Sequence, residues 1–211
     1  MKIVRVVILP LVFLVLASGA YADTLKFTGT GSNEVNTSQG EVTTYPYYLS
    51  VNGAKSVAMM CLSFDDVTSV GESWQVTESS PTSVVQLEAA WLVQDAIANP
   101  KNDVADQLAA WYLFEGSQKE KKSLLGDDAP WVQDQLNLAA LDYKSINPAD
   151  FLIYTPVAGS QPKGDGTPQT FITEIVPTPE PGSLLLLGTG LLGLAFGLFR
   201  KNKASGLVLN S

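Results

Sequence analysis

Histidine is absent from the 211-residue chain. Without an imidazole there is no Ser-His-Asp or Cys-His nucleophile pair and no histidine-containing zinc site. Cysteine is reduced to Cys61, so no disulfide can form within the chain. Bases are scarce, with 13 Lys and Arg against 21 Asp and Glu. Their placement sharpens the imbalance. Lys2, Arg5, Arg200, Lys201 and Lys203 lie at the two ends, and Glu180 is the one acid outside residues 23–176. The stretch between holds 20 acids and 8 bases, a net charge of −12. Such a field repels nucleic acid and anionic headgroups, so nucleic acid is excluded as a partner.

What is present begins with the two apolar ends. Lys2 and Arg5 precede an apolar stretch at 6–16, and Ala20-Tyr21-Ala22 offers a small-residue cleavage site before Asp23. This is the layout of a secretory signal peptide. At the other end the run SLLLLGTGLLGLAFGLF at 183–199 carries no charge. Its length is at the short end of the roughly 17–25 residues of a membrane-spanning helix. Pro179-Glu180-Pro181 stands before it, and Arg200, Lys201 and Lys203 follow as a basic stop for the cytoplasmic side. This three-part order resembles the PEP-CTERM sorting signal of Gram-negative bacteria. The resemblance implies that an exosortase, a membrane transpeptidase-like protease, removes the helix near the Pro-Glu-Pro motif during export. It further implies the Sec machinery as a partner, a transient stay in the inner membrane, and a final place at the cell surface or outside the cell.

The exported part reads as one α+β domain. Strands are expected at 24–30, 47–51, 57–64 and 74–78, broken by Gly31-Ser32-Asn33, Asn52-Gly53 and Gly71. Asn52-Gly53 between two apolar runs signals a hairpin. Helices are expected at 81–98, with Val84, Leu87, Trp91 and Leu92 on one side, then from Asp103 to Phe114, and at 128–143. In the second, Asp103 would cap with Asp106 three residues on. Strands at 151–155 and 170–176 close the domain. The expected architecture is a largely antiparallel sheet with an insert of about three helices. The chain divides into a signal peptide at 1–22, the α+β domain at 23–160, a closing strand and linker at 161–178, the sorting signal at 179–203 and a tail at 204–211.

Two residues carry the candidate chemistry. Cys61 lies in the apolar run Ala58-Met59-Met60-Cys61-Leu62-Ser63-Phe64, and Gln107 opens Gln107-Leu108-Ala109-Ala110-Trp111. At helical spacing Gln107 shares a face with Val104, Trp111 and Phe114. A glutamine there needs partners, because an unsatisfied buried amide costs roughly 1–3 kcal/mol. In one reading Gln107 bonds to neighbouring backbone and Cys61 is an inert buried thiol. In the other, the thiol attacks the Gln107 carbonyl, ammonia leaves, and an internal thioester awaits an amine or hydroxyl. Exclusion of water would fall to a pocket formed by Met59, Met60, Ala109 and Trp111.

At these residues the chain resembles the thioester-domain proteins of bacterial surfaces. Those proteins pair a strand cysteine with the glutamine of a Thr-Gln-x-Ala-type motif that opens a helix. The matches are Cys61, Gln107, Ala109 and Trp111, with Tyr45-Pro46-Tyr47 upstream. The chain departs at Asp106, where the family prefers threonine. The resemblance implies covalent adhesion, here to extracellular polymer or a surface nucleophile. No catalytic residue, metal site or cofactor is expected. A non-covalent component of the extracellular polymer is the alternative, and a secreted hydrolase is a third. Glu72, Glu78 and Glu88 show no glycosidase-like spacing. Asp65-Asp66 reads as a solvated turn, Asp127-Asp128 as a helix cap, and Lys119, Lys121 and Lys122 as a solvated loop.

Overall fold

The computed structural model describes residues 22–37, 40–117, 124, 129–160, 168–175, 189–190 and 192. Outside them lie the expected signal peptide before Ala22, the Pro179-Glu180-Pro181 motif, the Arg200, Lys201 and Lys203 stop, the Lys119–Lys122 patch and Asp127-Asp128. Residues Met1–Glu174 and Ile175–Ser211 are separate compact units. In the second, positions 189, 190 and 192 are helical, and the rest of the 183–199 run lies outside the described residues. Among the described residues no helix is long and apolar enough to cross a membrane.

Strand β1 (Asp23–Thr30) alternates as its sequence demands, with Leu25 and Phe27 buried and Thr24, Lys26 and Thr28 exposed. It is followed by a small hairpin, β2 (Glu34–Thr37) and β3 (Gly40–Thr43), that pairs only with itself. Sequence patterning gave no sign of that hairpin, because neither strand is long or buried. Then come β4 (Tyr47–Val51), β5 (Val57–Cys61) and β6 (Ser73–Ser79). Asn52 and Gly53 join β4 to β5 with φ of 51° and 75°, the positive values that primed hairpin turns require. Three helices follow, α1 (Val84–Ala98), α2 (Asp103–Phe114) and α3 (Ala129–Asp142). Strands β7 (Phe151–Pro156) and β8 (Phe171–Glu174) complete the domain.

The α+β class and the antiparallel pairing match expectation, but the sheet is not open. Six strands close into a barrel in the order β1-β4-β5-β8-β7-β6. Closure depends on β1, which pairs with β4 on one side and β6 on the other. A register shift between Phe27 and Gly29 bends that strand, as a bulge does at a barrel corner. Beside it, Gly31 passes so close to Pro46 that an added Cβ would stand 2.7 Å from the ring. Gly31→Ala is therefore expected to destabilise the domain by about 1–3 kcal/mol, read as a lower denaturant midpoint.

The helices lie between β6 and β7 in sequence, with α1 against β8 and α2 against β5. Ser83 caps α1 in a full capping box with Gln86, so the helix starts later than Pro81. Its buried side is Ala89, Ala90, Leu92, Val93 and Ala96, while Val84 is half exposed. These small side chains let α2 approach closely. In α2 every residue from Ala105 to Trp111 is buried. A helix wrapped on all sides shows little amphipathic pattern, which is why its surroundings were hard to read from sequence. Its N-cap is Asn102, without a side-chain cap bond, rather than Asp103. That correction frees Asp106 from the expected capping role and leaves its burial to be explained.

Candidate functional site

Cys61 is the last residue of β5 and Gln107 lies in the second turn of α2; both are fully buried. The packing of α2 on β5 brings them together. The Gln107 side chain grips the backbone of Cys61 at two points. Its Nε2 donates to the Cys61 carbonyl at 2.6 Å, and its Oε1 accepts from the Cys61 N–H at 3.2 Å. The amide orientation is fixed by these partners, since only nitrogen can donate to a carbonyl and only oxygen can accept from an N–H. Gln107 thus acts as a pseudo-strand residue where β5 leaves the ladder. The same contact places a backbone N–H on the carbonyl oxygen that would bear negative charge if the carbon were attacked.

The thiol itself is held quiet. Cys61 Sγ donates to the Ser63 carbonyl at 3.2 Å. Burial pushes its pKa up to about 12, opposed by the nearby Trp111 indole and the Ser63 backbone and reinforced by the Asp66 charge. The Trp111 N–H is close enough to favour the thiolate, yet it makes no hydrogen bond of normal geometry. Tyr47, raised chiefly by burial, is a further neighbour of the thiol.

Two cavities flank the segment after Cys61. One, of about 320 Å³, has Phe27, Tyr47, Phe64 and Trp111 in its lining with the acids Glu41 and Asp66. The other, of about 450 Å³, shares Phe64 in its lining and includes Leu62, Ser63, Phe114, Asp65 and Glu115. Among the described residues no basic side chain lines either. Of the residues expected to form the pocket, Trp111 lines the smaller cavity, tilted at 53° against Phe64 with ring centroids 5.1 Å apart. Met59, Met60 and Ala109 are fully buried in the core and line neither. Cys61 and Gln107 sit behind the lining.

Ser63 and Tyr47 were named only as members of their segments; the fold gives them a role, Ser63 as the acceptor of the thiol and Tyr47 as its neighbour from β4. Sequence reasoning noted Asp106 as a departure but not its setting. Both Asp106 carboxyl oxygens are buried without a hydrogen-bond partner. Its pKa is pushed up to about 9 by burial first, then by Asp95 and Asp103. Among the acids considered for hydrolysis, Glu78 is raised by burial and by Asp23, and neither lines the two cavities. Among the described residues no group of three or more acidic, cysteine or histidine side chains is placed to hold a metal ion.

The PEP-CTERM protein-sorting motif matches residues 177–201. The chain therefore carries a signal for exosortase-dependent export to the cell surface or extracellular space. No curated protein matches it in sequence. Among solved structures it is similar to the N-terminal thioester domain of a protein F2-like fibronectin-binding protein from Streptococcus pneumoniae. That likeness has a TM-score of 0.38 and 11% identity, and covers 72% of this chain and 91% of the other. So loose a likeness leaves the site to be argued from its own geometry.

Proposed function

We propose that the domain is a non-enzymatic surface or matrix protein that captures a nucleophile covalently through a Cys61–Gln107 thioester. The observation that carries this reading is the two-point grip of the Gln107 amide on Cys61 inside a buried wall. In the first step Cys61 sulfur bonds to the Gln107 side-chain carbon, the C–N bond breaks, and the thiol proton leaves with the amide nitrogen as ammonia. In the second, an amine or hydroxyl adds to that carbon, sulfur leaves, and the proton of the nucleophile returns it to the thiol. Glu41 and Asp66, the charged groups among the described residues of the smaller cavity, favour an amine arriving as ammonium and losing its proton on entry.

Around this chemistry we place a signal peptide at 1–22 used by the Sec machinery, a domain at 23–160 with its closing strand and linker to 178, and a sorting segment at 179–203 that crosses the inner membrane until an exosortase cuts near Pro179-Glu180-Pro181. The extracellular polymer or a neighbouring surface supplies the nucleophile. A second reading, a non-covalent polymer-layer component, is favoured by the sealed, protonated thiol donating to Ser63.

Intact mass decides between them. The full chain purified in detergent is expected to be lighter by one ammonia than its sequence mass, and Cys61→Ala is not. Methylamine should restore the deficit as a covalent adduct at Gln107. A full-weight chain whose thiol titrates only on unfolding would establish the second reading instead.

A further inference from the structure

Asp106 is fully buried, and among the described residues its two carboxyl oxygens have no hydrogen-bond partner and no cation offsets it. A lone buried carboxylate is among the most costly groups a fold can contain. Asp95 of α1 is tied to the same turn as Asp106: Asn102 donates its side-chain amide to Asp95 while its carbonyl accepts from the Asp106 N–H at 2.8 Å, and the Asp95 charge acts on Asp106. Two ionised carboxylates cannot bond to one another, since neither can donate; they form a hydrogen bond only when a proton lies between them. Asp95 already accepts from Asn99 at 2.7 Å and from Asn102 at 2.8 Å, which ties it to the turn that leads into α2. Asp103, in the first turn of α2, is held by Asn33 at 2.7 Å. The remaining titratable group is Tyr45, a neutral phenol on the segment before β4 whose own ionisation the Asp106 charge disfavours.

We propose that Asp95 and Asp106 share one proton, and that this proton holds the first turns of α2 where Gln107 meets Cys61. The proposal rests on the Cys61–Gln107 pairing and gives the position before Gln107 a positioning role. Loss of the proton leaves like charges facing across α1 and α2, and the helix relaxes toward solvent at its start. Gln107, the next residue, then loses its grip on β5. The thioester partners would thus be aligned in neutral or acidic surroundings and parted in alkaline ones.

The linkage has a definite sign. Asp106 binds its proton more tightly when folded, with a pKa raised from 3.8 to about 9. Folding therefore takes up a proton across that window, and stability falls as pH rises through it. Asp106→Asn removes this slope.

The direct readout is the amide at position 61, whose acceptor is Gln107 Oε1 and not the sheet. Its hydrogen-exchange protection factor is to be measured by NMR between pH 7 and pH 10 in the full chain carrying Cys61→Ser, which cannot form a thioester. Protection is expected to fall at least tenfold over that range, and to vary less than twofold in the same chain with Asp106→Asn. If that variant does not fold, Asp106→Thr replaces it. A flat profile in the parent, or an equal fall in parent and variant, would overturn the proposal. Failure of the thioester would appear in the intact mass and leave this profile unchanged.

Discussion

Gln107→Leu is expected to destabilise the domain by about 2–5 kcal/mol while leaving the mass of the chain at its full sequence value. The substitution keeps most of the volume, so little cavity forms. What disappears is the partner of two backbone groups, the Cys61 N–H and the Cys61 carbonyl. Both lie at a fully buried residue, and each unsatisfied group costs roughly 1–3 kcal/mol. Urea unfolding should show a lower midpoint at unchanged slope. Gln107→Glu makes an informative companion. An ionised carboxylate still accepts from the Cys61 N–H but faces the Cys61 carbonyl with no donor, so the variant should regain stability as pH falls. An unchanged urea midpoint in Gln107→Leu would mean that the two-point grip contributes nothing to stability.

Trp111→Ala is expected to have an effect of similar size on stability and a larger one on the thiol. The ring is 2% exposed and packed against Phe64, and truncating a buried tryptophan costs about 3–5 kcal/mol. It also removes the wall between the smaller cavity and Cys61. A water-accessible thiol loses the burial that raises its pKa, so Cys61 should react with a thiol reagent in the folded variant and not in the parent. Trp111→Phe separates the contributions. It keeps most of the wall and removes the indole N–H that favours the thiolate. Equal thiol reactivity in parent and Trp111→Ala would show that another element seals Cys61.

Strand positions were largely legible because β1 and β6 alternate clearly and Asn52-Gly53 fixes a hairpin. Barrel closure was not, because it depends on β1 pairing along both edges, a non-local fact with no local signature. Of the two readings of Cys61 and Gln107, a glutamine bonded to neighbouring backbone beside a buried thiol is the arrangement the fold contains, and that the backbone is that of Cys61 itself had no sequence signal. The glutamine holds the cysteine by its backbone, and the thiol turns to Ser63. Met59, Met60 and Ala109 were placed at a pocket because they flank the pair in sequence. In the fold their side chains fill the core. Asp106 was the least legible position. An acid beside a helix start ordinarily caps or faces water, and only the close fit of α1 on α2 shows that this one does neither.

The strand that backs the thiol is the last to be made. Cys61 pairs with Phe171 and Met60 with Ile172, so β8 completes the wall behind the site. A chain synthesised and exported from its N-terminus presents β5 and α2 long before β8 arrives. Without β8 the barrel lacks the stave beside Cys61. The sorting motif begins at residue 177, just after β8 ends at Glu174. In the chain, then, the last stave of the barrel stands immediately ahead of the sorting signal.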